Sequence, residues 1–156
     1  MNCYNGEKYI REAVDSVINQ TYENWELIFW DNQSIDSSKK IFQNFKDNRL
    51  KYFYAKEHTT LYQARNLACK KASGEYLAFL DCDDFWYENF LSSRDNFFQN
   101  KYFDYSYSNS YYYFEKSKRR SLLTKKKLKN GKIYDFLDKE YLVTISSLIL
   151  KKKIFD

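Results

Sequence analysis

Apolar positions along residues 1–110 follow two alternating patterns, one with the period of a helix and one of short continuous runs. Between residues 7 and 19 the apolar side chains recur at helical spacing, which predicts an amphipathic helix. The runs WELIFW at 25–30 and YLAFL at 76–80 are rich in aromatic and branched residues, so they predict buried strands. Because helices and strands alternate, we expect an α/β domain.

The same patterns predict further elements along the chain. They are helices near 36–45 and over 61–72, 88–99 and 134–137, strands over 50–55 and 142–150, and a pair of strands within 103–113. Asn5 is expected to cap the first helix, and Asp36 or Ser34 the second, because such side chains accept hydrogen bonds from free helical amides. The basic segment 116–132 is only weakly periodic, so a loop is expected there.

Three carboxylates, Asp81, Asp83 and Asp84, directly follow the apolar run at 76–80. The carboxyl ends of strands line the ligand crevice of open α/β sheets, and clustered carboxylates need a cation to offset their repulsion. Their hard oxygen ligands suit Mn²⁺ or Mg²⁺, and such a metal at Asp83 or Asp84 would stabilise a diphosphate leaving group. The alternative is a polar strand end in which Asp84 caps the next helix.

Six short motifs occur in a fixed order along residues 4–84. They are YNGEKYI at 4–10, NQTY at 19–22, WELI at 25–28, DNQSID at 31–36, ARN at 64–66 and SGEYLAFLDCDD at 73–84. Each motif alone is weak, but together they resemble the inverting glycosyltransferase family 2. The resemblance covers about residues 2–100 well and the rest loosely. It implies the GT-A fold, a Rossmann-like, three-layer α/β/α arrangement with a mostly parallel sheet that binds a nucleotide-diphosphate sugar.

The resemblance also implies roles on the base side of the site. Tyr4 and Asn5 match the loop that borders the nucleotide base, and Asp31 matches an acid that contacts the base. Asn32 and Gln33 stand where the family usually has a second acid and a glycine, so base recognition is expected to differ from the family pattern.

On the phosphate side, the resemblance implies a second group of residues. Arg65 matches an arginine that helps to hold the nucleotide, and a fixed cation suits a diphosphate. Asp81, Asp83 and Asp84 match the family's DxD-type motif, so Asp81 and Asp83 would contact the nucleotide sugar, and Asp83 and Asp84 would hold Mn²⁺ or Mg²⁺.

Two departures from the family pattern concern the ends of the chain. The family has a hydrophobic strand before the loop at 4–5, whereas only three residues precede that loop here. Without such a strand, its neighbours in the sheet would have unpaired backbone groups. The family's catalytic base is an acidic residue downstream of 146–150, and we expect it beyond Asp156. The chain is therefore expected to be trimmed at both ends, or to come from a disrupted gene.

The resemblance predicts a function for each part of the chain. Residues 1–110 would form the nucleotide-sugar-binding half, and residues 111–156 the incomplete start of an acceptor-side region within the same domain. The expected activity is transfer of a sugar, from a UDP-sugar, to a glycan or lipid-linked acceptor in bacterial surface polysaccharide synthesis. The alternative is a truncated domain that binds the donor but does not turn it over.

Charge adds one feature to this picture. The net charge is +5, and nine Lys or Arg residues without an acid lie in 116–132. Such a run suits phosphate, anionic lipid or nucleic acid, or else a solvated loop. We expect peripheral membrane contact from it and no nucleic-acid function, because the aspartates would repel a phosphate backbone. The tyrosines of 105–113 are typical of a half-packed strand, or of a surface that stacks on bases or sugars.

The remaining candidate residues predict no additional site. Cys3, Cys69 and Cys82 have no regular spacing, so neither a disulfide framework nor a zinc site is expected. His58, the only histidine, is expected in a loop without a nearby metal ligand. No signal peptide or apolar stretch of about 18 residues is apparent, so we expect a cytoplasmic protein that also lies at the inner face of the plasma membrane.

Overall fold

The computed structural model describes residues 1–100, 102–128, 131 and 143–155. The strands are β1 (Asn2–Cys3), β2 (Leu27–Asp31), β3 (Leu50–Tyr54), β4 (Tyr76–Ala78), β5 (Tyr105–Tyr107), β6 (Tyr111–Phe114), β7 (Arg119–Leu122) and β8 (Leu148–Lys151). The α-helices are α1 (Ile10–Ile18), α2 (Ser38–Gln43), α3 (Leu61–Cys69) and α4 (Asp95–Gln99), with 3₁₀ helices at Ser92–Arg94, Ile145–Ser147 and Lys152–Ile154. The helix expected over 134–137 lies outside the described residues.

The first three strands form a parallel sheet in the order β1-β2-β3. A parallel bridge between Asn2 and Asp81 links β1 to the chain that follows β4. Beyond β4, strand β8 runs antiparallel to both of its neighbours, β4 and β5. β8 belongs to the region 111–156, so that region shares a sheet with residues 1–110. The arrangement is the expected α/β fold with a mostly parallel sheet.

The core lies on both faces of β2, whose five residues are all buried. Successive side chains of a strand point to opposite faces. Phe29 therefore packs with Ile10 and Val14 of α1, whereas Trp30 packs with Ala64 of α3 on the other face. This two-sided burial explains why the run at 25–30 has no polar alternation, and it produces the three-layer arrangement.

The helix expected over 88–99 is largely replaced by irregular structure, with only a 3₁₀ turn and α4 near its end. Backbone groups of residues 87–91 form hydrogen bonds with residues that are distant in the sequence, in place of bonds within a helix. Gln20 donates to the Tyr87 carbonyl at 2.8 Å and accepts from the Leu91 amide at 2.9 Å, and the Thr21 amide donates to the Glu88 carbonyl at 2.9 Å. The prediction was wrong here because these partners come from a distant part of the chain.

Two strands form near 103–113 as expected, but they do not pair with each other. β5 pairs with β8, and β6 pairs with β7 in a separate hairpin. β7 lies inside the segment 116–132, which had been expected to form a loop. The hairpin is stabilised by contacts with Tyr87: Arg120 donates to the Tyr87 hydroxyl at 2.8 Å, and the Tyr87 and Tyr111 ring centroids lie 6.3 Å apart.

Both residues of the short first strand pair with β2, Asn2 with Trp30 and Cys3 with Asp31. The Trp30 amide donates to the Met1 carbonyl at 2.9 Å, and the Asn32 amide donates to the Cys3 carbonyl at 2.8 Å. A cavity of about 710 Å³ lies between β2 and β4, with Leu27 and Leu77 among its lining residues.

Candidate functional site

The loops that follow β1 and β2 are joined by reciprocal hydrogen bonds. The Asn5 amide donates to Ser34 Oγ at 3.0 Å, and Asn5 Oδ1 accepts from the Ile35 amide at 2.9 Å. Likewise, the Glu7 amide donates to Asp36 Oδ2 at 2.9 Å, while Glu7 Oε2 accepts from the Ser37 amide at 2.9 Å. Asn5 therefore fixes the second loop, and the expectation that it caps the first helix is wrong.

Asp31, at the end of β2, is fully buried behind these loops. Its carboxylate accepts from the Tyr52 hydroxyl at 2.6 Å and from the Ser34 amide at 2.7 Å. Burial, reinforced by the Asp31 carboxylate, raises the pKa of Tyr52, so the phenol remains a hydrogen-bond donor. Asp31 is thus committed to internal partners that shape the loop.

Tyr4 and His58 form an exposed aromatic pair beside the same loops. Tyr4 is 52% exposed, and the two ring centroids lie 4.4 Å apart. His58 Nδ1 lies 2.9 Å from the Asn32 carbonyl oxygen, and Asn32 Oδ1 accepts from the Thr59 amide at 3.1 Å. His58 does lie in a loop as expected, but its contact with Tyr4 was not foreseen. No local pattern marks it, since the partners are 54 and 26 positions away in the sequence.

Gln33 adopts a left-handed backbone conformation, with φ of +69°. Glycine is favoured at such positions because it has no Cβ. The Gln33 side chain donates to the Lys56 carbonyl at 2.9 Å, which offsets part of the steric cost. The glycine-to-glutamine departure from the family pattern therefore leaves the sharp turn in place.

The carboxylate loop, defined as residues 81–84, follows β4 on the other side of β1. Arg65 of α3 forms an ion pair with Asp81, with Nη2 and Oδ1 2.6 Å apart. The Arg65 side chain is only 18% exposed, so Asp81 holds the guanidinium in a fixed orientation. Two further carboxylates, Asp83 and Asp84, are exposed beyond this pair.

The electrostatics of the carboxylate loop favour a cation. Desolvation raises the pKa of Asp84, and the negative charges of Asp83 and Asp81 raise it further, although a hydrogen bond with Ser146 lowers it. In the described parts of the chain, no group of three His, Cys, Asp or Glu side chains forms a complete metal site. Two carboxylates still fit Mn²⁺ or Mg²⁺, because such ions commonly take the rest of their ligands from substrate phosphates and water.

The two halves of the site meet at β1. The Asn2–Asp81 bridge aligns the carboxylate loop with the end of β1, and Gly6 lies against both Cys3 and Cys82. The hydrogen bond with Cys82 lowers the pKa of the Cys3 thiol. The carboxyl ends of β1, β2 and β4 therefore form one continuous edge, as expected for the ligand side of an open α/β sheet.

The cavity between β2 and β4 is distinct from this edge, although the two share residues at one end. Arg65 and Asp81 line one end of the cavity, while Tyr4, Asp83 and Asp84 are not among its lining residues. Its wall includes residues of β2, β4, α1 and α3 and of the segments that precede β2 and β4. We therefore assign the candidate ligand site to the exposed edge.

The model of the family "Glycosyl transferase family 2" matches residues 1–156, the full length of the chain. The chain belongs to glycosyl transferase family 2. In this family 2 chain, the loops after β1, β2 and β4 form the edge described above.

Several bacterial proteins are similar to this family 2 chain. WfgD of Escherichia coli, named a UDP-Glc:alpha-D-GlcNAc-diphosphoundecaprenol beta-1,3-glucosyltransferase, is 37% identical over 109 residues, which is 70% of this chain and 43% of WfgD. WfaP of Escherichia coli, named for the same reaction, is 40% identical over 117 residues, which is 73% of this chain and 45% of WfaP. The chain thus spans less than half the length of these relatives.

Among solved structures, S. aureus TarS 1–349 in complex with UDP has a TM-score of 0.61 and 28% identity, covering 67% of this chain and 32% of TarS. The complex of the same TarS fragment with UDP-GlcNAc has a TM-score of 0.62. These neighbours confirm the GT-A-type fold. Within the described residues, no helix is long and apolar enough to cross a membrane.

Proposed function

We propose that this chain binds a nucleotide-diphosphate sugar, preferentially a UDP-sugar, as the donor side of an inverting glycosyltransferase. The observation that carries the proposal is the juxtaposition of a fixed cation with exposed carboxylates. Arg65 is held by Asp81 at 2.6 Å, and Asp83 and Asp84 follow directly on the same edge of the sheet. This arrangement offers one positive group and one metal-binding group to a diphosphate.

The base would bind beside Tyr4, Asn5 and His58. An exposed aromatic surface suits a flat heterocycle, because stacking on an aromatic ring is favourable and tolerates different bases. Asp31 was expected to contact the base. Its burial supports an indirect contribution, in which it holds Ser34 and thereby the loop against which the base lies.

The sugar and diphosphate would bind towards Arg65 and the carboxylate loop. Asp81 would orient Arg65 and contact the nucleotide, and Asp83 would face the ribose or the diphosphate. Mn²⁺ or Mg²⁺, held by Asp83 and Asp84, would supply Lewis-acid stabilisation of the departing diphosphate. The Arg65 guanidinium adds a second, permanent positive charge near the same group.

In the transfer itself, an acceptor hydroxyl would attack the anomeric carbon and invert its configuration. A general base would remove the hydroxyl proton as the new bond forms. The names of WfgD and WfaP specify UDP-Glc and a diphosphoundecaprenol-linked sugar. By analogy, we propose a glycan or lipid-linked acceptor in bacterial surface polysaccharide synthesis for this chain.

Isothermal titration calorimetry with UDP, in the presence and absence of MnCl₂, tests the donor site. Wild-type protein should bind UDP in a metal-dependent way, and Asp83→Asn should lower the affinity about 10-fold or more, the scale expected for loss of a charged ligand. Asp95→Asn is the matched control, because Asp95 is also exposed but lies at the start of α4. No heat from wild type, or equal affinities in wild type and Asp83→Asn, would contradict the proposal.

The alternative function is donor binding without transfer by these 156 residues. It is favoured by the length comparison, since the chain spans 43% of WfgD and 45% of WfaP. The two functions differ in turnover. Release of UDP from a UDP-sugar in the presence of an acceptor would exclude the binding-only alternative, whereas metal-dependent UDP binding without such release would support it.

We also propose that the basic segment 116–132 contacts the membrane from the cytoplasmic side. Tyr112 and Phe114 of β6 are 55% and 53% exposed, and Phe114 pairs across the hairpin with Arg119 of β7. Exposed aromatics beside cations suit the interface of an anionic bilayer, where rings lie at headgroup level and cations attract lipid phosphate. A lipid-linked acceptor would then be delivered at the same surface.

Co-sedimentation with vesicles tests the membrane contact. Binding should be stronger to phosphatidylglycerol vesicles than to phosphatidylcholine vesicles, and Lys118→Gln/Arg119→Gln should weaken it. Lys40→Gln/Lys70→Gln removes two exposed cations elsewhere and serves as the charge-matched control. Equal losses in both double variants would indicate a general charge effect and would refute a specific contact by the hairpin.

A further inference from the structure

Two cysteines that are 79 positions apart in the sequence occupy neighbouring positions at the centre of the site. The parallel bridge pairs Asn2 with Asp81. Cys3 and Cys82 are the residues that follow this pair on the two neighbouring segments. A hydrogen bond between the two thiols brings their sulfur atoms side by side. Adjacent chains in a sheet lie roughly 4.8 Å apart, within the Cα–Cα range of about 4.4–6.8 Å that disulfides require.

The positions of the sulfur atoms agree with this register. A Cβ atom built on Gly6 would lie 2.8 Å from Cys3 Sγ and 3.1 Å from Cys82 Sγ, so both sulfurs surround the same point. Both thiols are free in this structure. Cys3 is 1% exposed, whereas Cys82 is partly accessible to solvent. Cys82 is therefore the more accessible residue of the pair.

We propose that Cys3 and Cys82 form a reversible disulfide by exchange with a small-molecule disulfide, and that this bond weakens donor binding. Formation of the bond does not depend on the proposed function. Its effect on donor binding rests on the proposed function. Cys69, the third cysteine, is buried on α3 and is not part of this pair.

The exchange proceeds in two balanced steps. One cysteine of the pair, as its thiolate, attacks one sulfur of the small-molecule disulfide, which forms a mixed disulfide and releases one small thiol. The other cysteine then loses its proton and attacks the protein sulfur of that mixed disulfide, which forms the Cys3–Cys82 bond and releases the second small thiol. Two protein thiols are oxidised, one small disulfide is reduced to two thiols, and each released sulfur takes up a proton.

The bond would act on the candidate ligands through Cys82, which lies between Asp81 and Asp83. A disulfide needs an S–S distance of about 2.05 Å, far shorter than a hydrogen-bonded contact between two thiols. Closing that distance draws the carboxylate loop towards β1 and restricts the motion of Asp83 and Asp84. Metal binding by these carboxylates requires freedom to adjust around the ion, so the oxidised protein should bind UDP with Mn²⁺ more weakly.

Thiol titration tests whether the bond forms. The protein is equilibrated with oxidised glutathione and denatured, and its free thiols are counted with Ellman's reagent before and after dithiothreitol. Wild type should retain only the Cys69 thiol, Cys69→Ser should retain none, and peptide mapping should recover a Cys3–Cys82 cross-link. Cys82→Ser should form no intramolecular bond, and because Cys82 is partly exposed this variant should fold.

The outcomes separate this proposal from the proposed function. Three free thiols after oxidation, or a cross-link that includes Cys69, would overturn the disulfide. Calorimetry of Cys69→Ser should show UDP affinity at least 3-fold weaker after oxidation, with recovery in dithiothreitol and no such change in Cys82→Ser. Unchanged affinity in a cross-linked protein would overturn the regulatory part. Absence of UDP binding by the reduced protein would refute the proposed function and leave the disulfide standing.

Discussion

The loops after β1 and β2 and the carboxylate loop after β4 belong to one edge of the sheet but satisfy their charges differently. In the first region, the carboxylates of Asp31, Asp36 and Glu7 accept hydrogen bonds from neighbouring backbone amides. In the second, Asp81 is paired with Arg65, while Asp83 and Asp84 are exposed and have no cationic partner among the described residues. The carboxylates of the first region are engaged within the protein, whereas Asp83 and Asp84 of the second region are available to a ligand.

This difference separates residues that build the site from residues that are available to bind. A carboxylate that is buried and fully hydrogen-bonded lowers the energy of the folded state, and its removal costs stability. A carboxylate that is desolvated beside like charges raises that energy until a cation arrives. Stability measurements should therefore distinguish the two regions without any ligand.

The largest effect is expected at Asp31. Asp31→Ala leaves the Tyr52 hydroxyl and the Ser34 amide without their buried acceptor, so the free energy of unfolding should fall by about 3 kcal/mol. Urea unfolding measures this change. Tyr52→Phe removes only one of the two donors and should cost about half as much. Equal stability of Asp31→Ala and wild type would show that the framework does not depend on this carboxylate.

A methyl group at Gly6 should give the next largest effect. The added Cβ would approach Cys3 Sγ to 2.8 Å and Cys82 Sγ to 3.1 Å, so Gly6→Ala should lower the free energy of unfolding by about 2 kcal/mol. Gly74→Ala is the matched control, since its nearest neighbour would be the Tyr76 carbonyl oxygen at 3.4 Å. Thermal denaturation of the two variants compares them directly. A similar loss of stability in both variants would indicate a general backbone effect and not a clash with Cys3 and Cys82.

A smaller effect, with a defined pH dependence, is expected at Asp36. Desolvation opposes ionisation, but hydrogen bonds from Ser38 and the Glu7 amide outweigh it and lower the pKa of Asp36. The stabilisation is therefore present above the ordinary aspartate pKa and is lost as the pH falls through that range. Asp36→Asn should cost about 1 kcal/mol at pH 7 and little in acid. Urea titrations at pH 7 and in acid provide the test, and a pH-independent loss would contradict it.

The smallest effect, of opposite sign, is expected at Asp84. Its pKa is raised, first by desolvation and then by Asp83 and Asp81, so the ionised form destabilises the fold. That penalty appears as the pH rises through the ordinary aspartate range towards the raised pKa. Asp84→Asn should increase the free energy of unfolding at pH 7 by no more than about 0.5 kcal/mol, because solvent screens a partly exposed charge. A clear loss of stability in Asp84→Asn at pH 7 would contradict this, because it would show that Asp84 stabilises the fold as the carboxylates of the first region do.

Local patterns predicted the elements whose packing follows from their own sequence. α1, β2, α3 and β4 were expected from periodicity or from a continuous apolar run, because one face or both faces of each element had to be buried. β2 is the clearest case, since all of its residues are buried and its sequence has no polar alternation. The sequence also predicted that the carboxyl ends of the parallel strands lie at one edge of the sheet.

Prediction failed where distant residues provide the partners. The helix expected over 88–99 gave way to hydrogen bonds with Gln20 and Thr21, and the segment 116–132 contains β7 because β6 offers it a pairing edge. Such partners leave no local signal, since a backbone N–H donates to any well-positioned acceptor. The Tyr4–His58 pair was missed for the same reason.

The sequence by itself determined the fold class, the family and the candidate acids and arginine, because burial periodicity and motif order are properties of the sequence alone. Only the tertiary structure decided which of those acids are satisfied. Asp31 and Asp83 are the same residue type after two parallel strands, yet one is enclosed by Tyr52 and Ser34 while the other remains open to solvent. The physical reason is that desolvation and hydrogen bonding depend on neighbours in space, which no local stretch of sequence specifies.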